Sequence, residues 1–241
     1  PFQKNPANGD CRISGTLASL VGLEQAQDNR SGTEYEHALK RIVMLHGVML
    51  AFRGIPLIYL GDEIAMLNDY QYLQHPAHFN DSRWVHRVTF SDAQNAKRQI
   101  SGSPETIVFA QLQQMIRLRK QWSIFGDSEL SIADQVDEHL FAFTRTQGAD
   151  TILVLANFSE HERRLSASQL MSLGLNTGAS DLLSNCIHMT DSLDVAPYQL
   201  FWFLNSRSRV KTRPTTRASL LRQGSTAMVN IRRARFLTKI A

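Results

Sequence analysis

Apolar residues recur along this chain with two different periods, and the change of period divides it. Ala38, Ile42, Leu45, Met49 and Phe52 follow one another at spacings of 4, 3, 4 and 3, which puts them on one face of a helix. Ser31 with Glu34 gives that helix an S-x-x-E capping signature, and Gly54 suits its C-terminal end. A shorter helix is predicted upstream, capped at Ser14 and running to about Gln25, with residues 28–32 as the break. Residues 57–60 are continuously apolar, the pattern of a short strand buried on both faces. A helix that feeds a buried strand through a very short connection is the repeating unit of an α/β fold. A further helix is predicted from Ser103-Pro104, with Val108, Leu112, Met115 and Trp122 on one stripe.

Beyond Phe125 the period falls to two. Residues 140–146, 151–158, 163–168, 187–189 and 198–204 read as strands, with turns at Gln147-Gly148 and Asn176-Thr-Gly178. Short strands at this spacing predict a small antiparallel sheet domain. The expected boundary lies at residues 123–126, giving an α/β part over 1–123, an all-β part over 124–204 and a tail from 205 to 241. Between the two periods, residues 61–99 show none. That stretch far exceeds the ~4–6 residues of an ordinary connection, so it is functional or disordered. Its aromatics, Tyr70, Tyr72, Phe79 and Trp84, argue against disorder.

Composition changes this picture at two points. Hydrophobic residues make up 43% and charged residues 20%, as in a globular chain. No apolar run approaches the roughly 20 residues of a membrane span, and no basic-then-apolar leader is visible. The first residue is Pro1, which leads to the expectation of a start inside something larger. Cys11 and Cys186 are sparse enough to be expected as free thiols in a reducing, cytoplasmic setting. The net charge of +4 is a property of the tail: residues 206–241 hold ten Lys/Arg and no Asp/Glu, against 16 basic and 22 acidic residues before them. A basic tail can hold phosphates. Because this one lacks a recognition motif and carries one aromatic, Phe236, a disordered or non-native extension is expected and no nucleic acid.

The candidate chemistry is polar and local. Asp62-Glu63 follows the predicted strand and resembles a general acid–base pair, but neighbouring strand residues point to opposite faces. One carboxylate is therefore expected to cap loop amides or pair with a basic residue, and the other to face solvent. Asp81-Ser-Arg-Trp-Val-His86 reads in two ways. Arg83 and Trp84 clamp and stack on a sugar ring, or Asp81 pairs with Arg83 as a loop staple. Asp10-Cys-Arg12 is expected as a loop salt bridge, and His46 as a structural residue. His75 and His78 lack companion ligands for zinc. No phosphate loop, dinucleotide fingerprint or nucleophile elbow is present, and no cofactor is implied.

Several stretches together carry a resemblance. They are Pro1-Phe-Gln-Lys-Asn-Pro6 with Gly9-Asp-Cys-Arg-Ile-Ser-Gly15, Gly54-Ile-Pro-Leu-Ile-Tyr-Leu-Gly-Asp-Glu63, Leu67-Asn-Asp69, Asp81-Ser-Arg-Trp-Val-His-Arg87 and Pro197-Tyr-Gln199. Over about residues 1–204 the chain resembles the α-amylase superfamily (glycoside hydrolase family 13), within it the branch of amylosucrases and sucrose hydrolases. The resemblance implies the C-terminal part of a (β/α)8 TIM barrel, with residues 57–60 as its eighth strand, followed by a small antiparallel β-sandwich. It implies a retaining transglucosylase that cleaves sucrose and passes glucose to an α-1,4-glucan. Sucrose and the glucan are its expected partners. The alternatives are a sucrose hydrolase or another glycosidase of the superfamily, and a catalytically inactive carbohydrate-binding fragment. The three catalytic carboxylates of such enzymes follow earlier strands and are expected upstream of Pro1, so no residue here takes those roles. Arg83 matches a substrate-binding arginine at the bottom of the glucosyl pocket, and Arg12 one near the fructosyl or acceptor position. The chain departs from the pattern at residues 28–35 and 70–78.

Overall fold

The computed structural model describes residues 4–134, 136–175, 178–188 and 191–206, which fall within one compact unit, Pro1–Arg209. Residues 1–3, Gln135, Asn176, Thr177, Met189, Thr190 and the basic tail from residue 207 onward lie outside the described residues.

The helical half opens with two short helices, α1 (Leu17–Leu20) and α2 (Leu23–Asp28), where one helix capped by Ser14 was expected. Thr16 is the cap, its side chain accepting from the Ser19 N–H, and Gly22 at φ 94° turns the chain between the two. A left-handed backbone of that kind cannot continue a helix. Helix α3 (Gly32–Ala51) starts at Ser31 as its sequence indicates, with Ser31 Oγ accepting from the Glu34 N–H. Ser31 N–H already donates to the Ala26 carbonyl, and the Glu34 carboxylate lies 3.6 Å from Arg41. Its buried face runs through Ala38, Ile42, His46 and Leu50, while Leu45 and Met49 of the expected stripe are half-buried. After the short helix α4 (Asp92–Ala96) comes α5 (Pro104–Gln121), capped by Ser103 with Pro104 in its first turn and burying Val108, Leu112 and Met115. Leu23, Ala38, Ile42, Val108 and Leu112 form one apolar cluster joining α2, α3 and α5.

The sheet half contains β1 (Glu129–Ile132), β2 (Leu140–Gln147), β3 (Asp150–Asn157), β4 (Arg163–Ser166), β5 (Ala179–Asp181), β6 (Ile187–His188), β7 (Ser192–Val195) and β8 (Leu200–Ser206). Helix α6 (Ala167–Ser172) follows β4 and takes up the end of the strand expected over 163–168. All pairings are antiparallel: one sheet in the order β1-β2-β3-β8-β5-β6, and a two-stranded ribbon of β4 and β7. Strand β3 is buried on both faces, so its alternate residues serve two cores. Leu153 and Leu155 pack with Phe201 and Phe203 against Leu165, Leu193 and Val195 of the ribbon. Ile152 and Val154 pack with Phe143 and Trp202 against Leu50 and Met115 of α3 and α5. Gly47 sits at this second contact, where a Cβ would run into the end of the Leu200 side chain, so a larger residue there has to displace that side chain.

Two guanidinium groups close the C-terminal end of α3. Arg145, fully buried on β2, donates from Nη1 to the Ala51 carbonyl (2.9 Å), from Nη2 to the Gly126 carbonyl (3.0 Å) and from Nε to Ser128 Oγ (2.7 Å). Arg119 on α5 donates to the carbonyls of Leu50 and, at 2.8 Å, Gly54. The last carbonyls of a helix lack intrahelical donors and sit at the negative end of its dipole, so cations there satisfy both needs.

The expected buried strand at 57–60 is not one. Residues 55–60 form no strand, and Ile55 (98%), Leu57 (80%) and Leu60 (65%) are exposed. Apolar character specifies the surroundings a segment requires, but a strand exists only where neighbours supply its ladder. Among the described residues no strand lies alongside it.

Candidate functional site

The polar stretch beyond residue 60 folds back on itself without regular structure, and each turn has a local cause. Gly61 adopts φ 100°, where a Cβ would meet Met66 Sδ at 2.5 Å. A 3-10 turn follows over Asp62–Ile64, ended by Ala65 at φ 50°. Asp62 and Glu63 therefore sit on a turn, not at the end of a strand. Glu63 Oε2 accepts from the Gly61 N–H at 2.7 Å, the amide cap expected of one carboxylate. Asp62 does not face solvent as expected of the other. It is half-buried, and burial raises its carboxyl pKa, aided by Glu63 and opposed by His46 and the Leu17 N–H. His46 is buried and its Nδ1 bonds to the Ile42 carbonyl at 2.8 Å, which leaves its other ring nitrogen toward its surroundings.

Asn68 ties this turn to the N-terminal helices. Its Oδ1 accepts from the Thr16 N–H (2.8 Å), its own N–H donates to Ser19 Oγ (3.0 Å), and its Nδ2 reaches Tyr70 Oη (3.1 Å) and Glu24 Oε2 (3.4 Å). The next residue passes the connection on, since the Asp69 N–H donates to the Val85 carbonyl at 2.8 Å. No periodicity marks Asn68. Its signal was only its place in the quoted Leu67-Asn-Asp69.

Val85 belongs to the 3-10 turn Ser82–His86, for which Asp81 is the N-cap. The Asp81 carboxylate accepts from Arg83 Nε at 2.8 and 3.0 Å and from Nη2 at 2.7 Å, a fork that also takes the Arg83 N–H at 3.0 Å. The hydrogen bonds from Arg83 hold the Asp81 carboxyl down to about 2. Of the two readings of this cluster, the local staple is formed, with Arg83 half exposed beside it. Arg12 is exposed on the N-terminal segment. Asp10 accepts from Asn8 Nδ2 at 2.6 Å within the exposed Asn5–Asp10 turn, and among the described residues it makes no ion pair with Arg12.

Rings stack beside the arginine fork. His75 and His78 lie 4.0 Å apart at 17°, His78 and Trp84 3.6 Å apart at 15°, and the Arg87 guanidinium stands 4.8 Å from the Trp84 ring. Loss of hydration between the rings lowers the His78 pKa, as do the charges of His75 and Arg87, against the opposing pull of Asp81. Tyr59 of the extended segment meets His86 edge to face at 5.9 Å, so the open apolar stretch and the arginine turn are in direct contact. The quoted Pro197-Tyr-Gln199 lies elsewhere, at the entry to β8, where Arg41 Nη2 donates to Tyr198 Oη at 2.8 Å and latches α3 to the sheet. Cys11 and Cys186 are free and exposed. Among the described residues no three His, Cys, Asp or Glu converge on a metal position, and no helix is long and apolar enough to cross a membrane.

No protein-family model matches the chain. Solved structures do. The α-amylase of Geobacillus thermoleovorans, complexed with acarbose, matches over 83% of this chain and 38% of its own, with a TM-score of 0.52 and 16% identity. AmyP in complex with maltose matches over 73% and 36%, with a TM-score of 0.54 and 16% identity. A trehalulose synthase mutant matches over 69% and 38%, with a TM-score of 0.50 and 20% identity. The mixed helical and antiparallel-sheet fold is thus that of part of α-amylase-family enzymes. The chain spans well under half the length of each of them.

Proposed function

We propose that this chain is the C-terminal part of an α-amylase-family enzyme of the amylosucrase type, a retaining transglucosylase that cleaves sucrose and extends an α-1,4-glucan. Residues 57–60 would be the last strand of its (β/α)8 barrel, residues 1–123 the end of that barrel, and residues 124–204 an antiparallel β-sandwich. The observation that carries the reading is the exposed apolar segment 55–60, which follows α3, pairs with no strand among the described residues and touches the Arg83 turn through Tyr59 and His86. In parallel barrels the loops after the strands hold the site. Support also comes from the fold shared with α-amylase-family enzymes and from the Asp81-Ser-Arg-Trp stretch.

On this reading Arg83 binds the glucosyl unit and Arg12 the fructosyl or acceptor side. Guanidinium donors in a fixed fork suit pairs of sugar hydroxyls and a facing carboxylate. The nucleophile, the acid/base and the stabilising carboxylate are assigned to barrel segments outside this chain. Retention needs two carboxylates only ~5 Å apart, one of them forming the glucosyl ester. The Asp81–Arg83 fork favours a second reading, in which Arg83 only staples the loop and the fragment binds carbohydrate without turnover.

Fragment complementation separates the two. The chain would be mixed with the remaining N-terminal part of an amylosucrase, and fructose release from sucrose measured. Release is expected from the mixture and not from the chain alone. In the mixture, Arg83→Ala is expected to lower kcat/KM by about a hundredfold or more, as when one partner of a buried pair is removed. Turnover by the chain alone, or an Arg83→Ala mixture within about twofold of the original, would sink the assignment.

A further inference from the structure

A cleft of about 690 Å3 lies between α3, α5, the turn after β5 and the entry to β8. That volume falls within the ~300–1,000 Å3 of small-molecule sites. Its walls are fixed by bonds within the chain. The Asp181 carboxylate accepts from the N–H groups of Leu183, Ser184 and Trp202 and from Ser184 Oγ, which sets the turn after β5. At the entry to β8, Gln199 Oε1 accepts from the Ala196 N–H at 2.8 Å. Tyr198, between them, keeps a left-handed backbone at φ 54°, an outlier for a bulky residue. Arg41 holds it there, donating to its hydroxyl at 2.8 Å and standing 4.4 Å over its ring. Strain of this kind persists only where the surroundings impose it, and it collects at ligand clamps and other working sites.

The lining decides the ligand class. Val43 and Met44 of α3, Ile107 and Met115 of α5 and Leu200 of β8 make the wall apolar, and unbranched methionines adapt to the shape of an occupant. The one carboxylate, that of Asp181, is saturated by its four donors. The polar capacity left over is mainly that of donors. Gln199 has its oxygen taken and its Nε2 free, and Tyr198 accepts from Arg41 and keeps its own hydroxyl hydrogen. Lys40 on α3 and Gln111 on α5 are exposed, and among the described residues their side chains make no hydrogen bond or ion pair. Spare donors and one cation beside an apolar wall call for an acceptor carried on an apolar body. A carboxylate matches a single ammonium, whereas a phosphate dianion would leave charge unpaired.

We infer that this cleft is a binding site for an amphipathic monoanion, an aliphatic chain ending in one carboxylate, with the carboxylate at Lys40 and Gln199 and the chain along Met44 and Met115. Every lining residue belongs to this chain, so the inference goes beyond the proposed role of Arg83 and does not depend on it.

The test is a methyl NMR titration of the whole chain labelled at methionine. Met44 and Met115 are the reporters, and Met66, outside the cleft, is the internal control. The probe is octanoate. Acetate supplies the charge without the chain, octanol the chain without the charge, and octylammonium the opposite charge. Octanoate is expected to shift the Met44 and Met115 signals saturably and to leave Met66 in place. Acetate and octylammonium should give no shift, and octanol should bind more weakly than octanoate. Lys40→Glu, at an exposed position, replaces an attraction by a repulsion and is expected to weaken octanoate about tenfold, with octanol unaltered. If that variant unfolds, Lys40→Gln serves in its place, with octanoate about fivefold weaker. Arg83→Ala should leave the octanoate response intact, so this result and the complementation result can fail separately. No saturable shift at Met44 and Met115, an equal response to acetate, octanol or octylammonium, or an unaltered octanoate affinity in the Lys40 variant would overturn the inference.

Discussion

Two stretches that adjoin in the chain end in opposite states. At the close of α3, the carbonyls of Leu50, Ala51 and Gly54 each receive a guanidinium donor from a distant element, and Leu50 and Ala51 are buried. Immediately beyond, Ile55 and Leu57 are as apolar as anything in the core and stand almost wholly in solvent. The residue types hardly differ. What differs is supply: β2 and α5 bring partners to the first stretch, and among the described residues no strand lies alongside the second. Burial belongs to the assembly of elements, and a segment with the right composition remains open until its neighbours arrive.

The comparison breaks most severely at Arg145. Its three bonds end on neutral acceptors, and among the described residues no carboxylate pairs with it. Burial lowers its pKa, aided by the charges of Arg119 and Arg53. Arg145→Ala would leave the Ala51 and Gly126 carbonyls and Ser128 without this donor, with Ala51 and Ser128 buried. Hydrogen bonds to charged groups contribute ~1.5–3 kcal/mol each, so a loss of about 3 kcal/mol or more is expected in denaturant unfolding. A loss below about 1 kcal/mol would mean that water takes over the three acceptors.

The same contrast explains what was legible in the sequence. Helices α3 and α5 and the strands β2, β3 and β8 were readable, because each carries its own period or cap, such as Ser31, Ser103 and the alternation of residues 151–158. Strands β1, β5 and β7 were not foreseen, whereas the equally short β4 and β6 fall within strands expected at 163–168 and 187–189. Nor was the split at Gly22, where a left-handed backbone, not hydrophobicity, decides. In the candidate site the Asp81–Arg83 contact was readable because it is local. The Asn68 bonds to Thr16 and Ser19 span about fifty residues, and no spacing rule joins such positions. For residues 57–60 the pattern named the environment the segment requires and was silent on who provides it.

A smaller effect is expected at the ring stack, the ordered part of the otherwise open region. His78 is held between His75 and Trp84 and near Arg87 and Asp81, with its pKa lowered. The neutral ring is therefore favoured in the stack. Its contribution is fully present above the unfolded histidine pKa of ~6.5 and is lost as pH falls through the lower folded value. Trp84 emission should change on acidification below that range, with a midpoint under the free-histidine value, and His78→Ala should remove the transition. A midpoint at or above the free value would contradict the stacked geometry. The Asp81–Arg83 fork should survive the same acidification, since its carboxyl titrates at about 2.

The smallest effect on stability is expected where the apolar surface is largest. Leu57 is 80% exposed, so Leu57→Lys removes almost no contact in this chain. Its unfolding free energy should stay within about 0.5 kcal/mol of the original, as for surface substitutions generally. A leucine buried like Leu155 would instead cost ~2–5 kcal/mol on truncation. The substitution should nevertheless reduce self-association, because an exposed apolar stretch with free backbone groups is a template for pairing. In the complementation mixture the order reverses. If residues 57–60 become a barrel strand there, Leu57→Lys places a charge in a buried sheet and restored turnover should collapse. Equal turnover with and without the substitution would show that the segment stays in solvent, and the reading of it as the last barrel strand would fall.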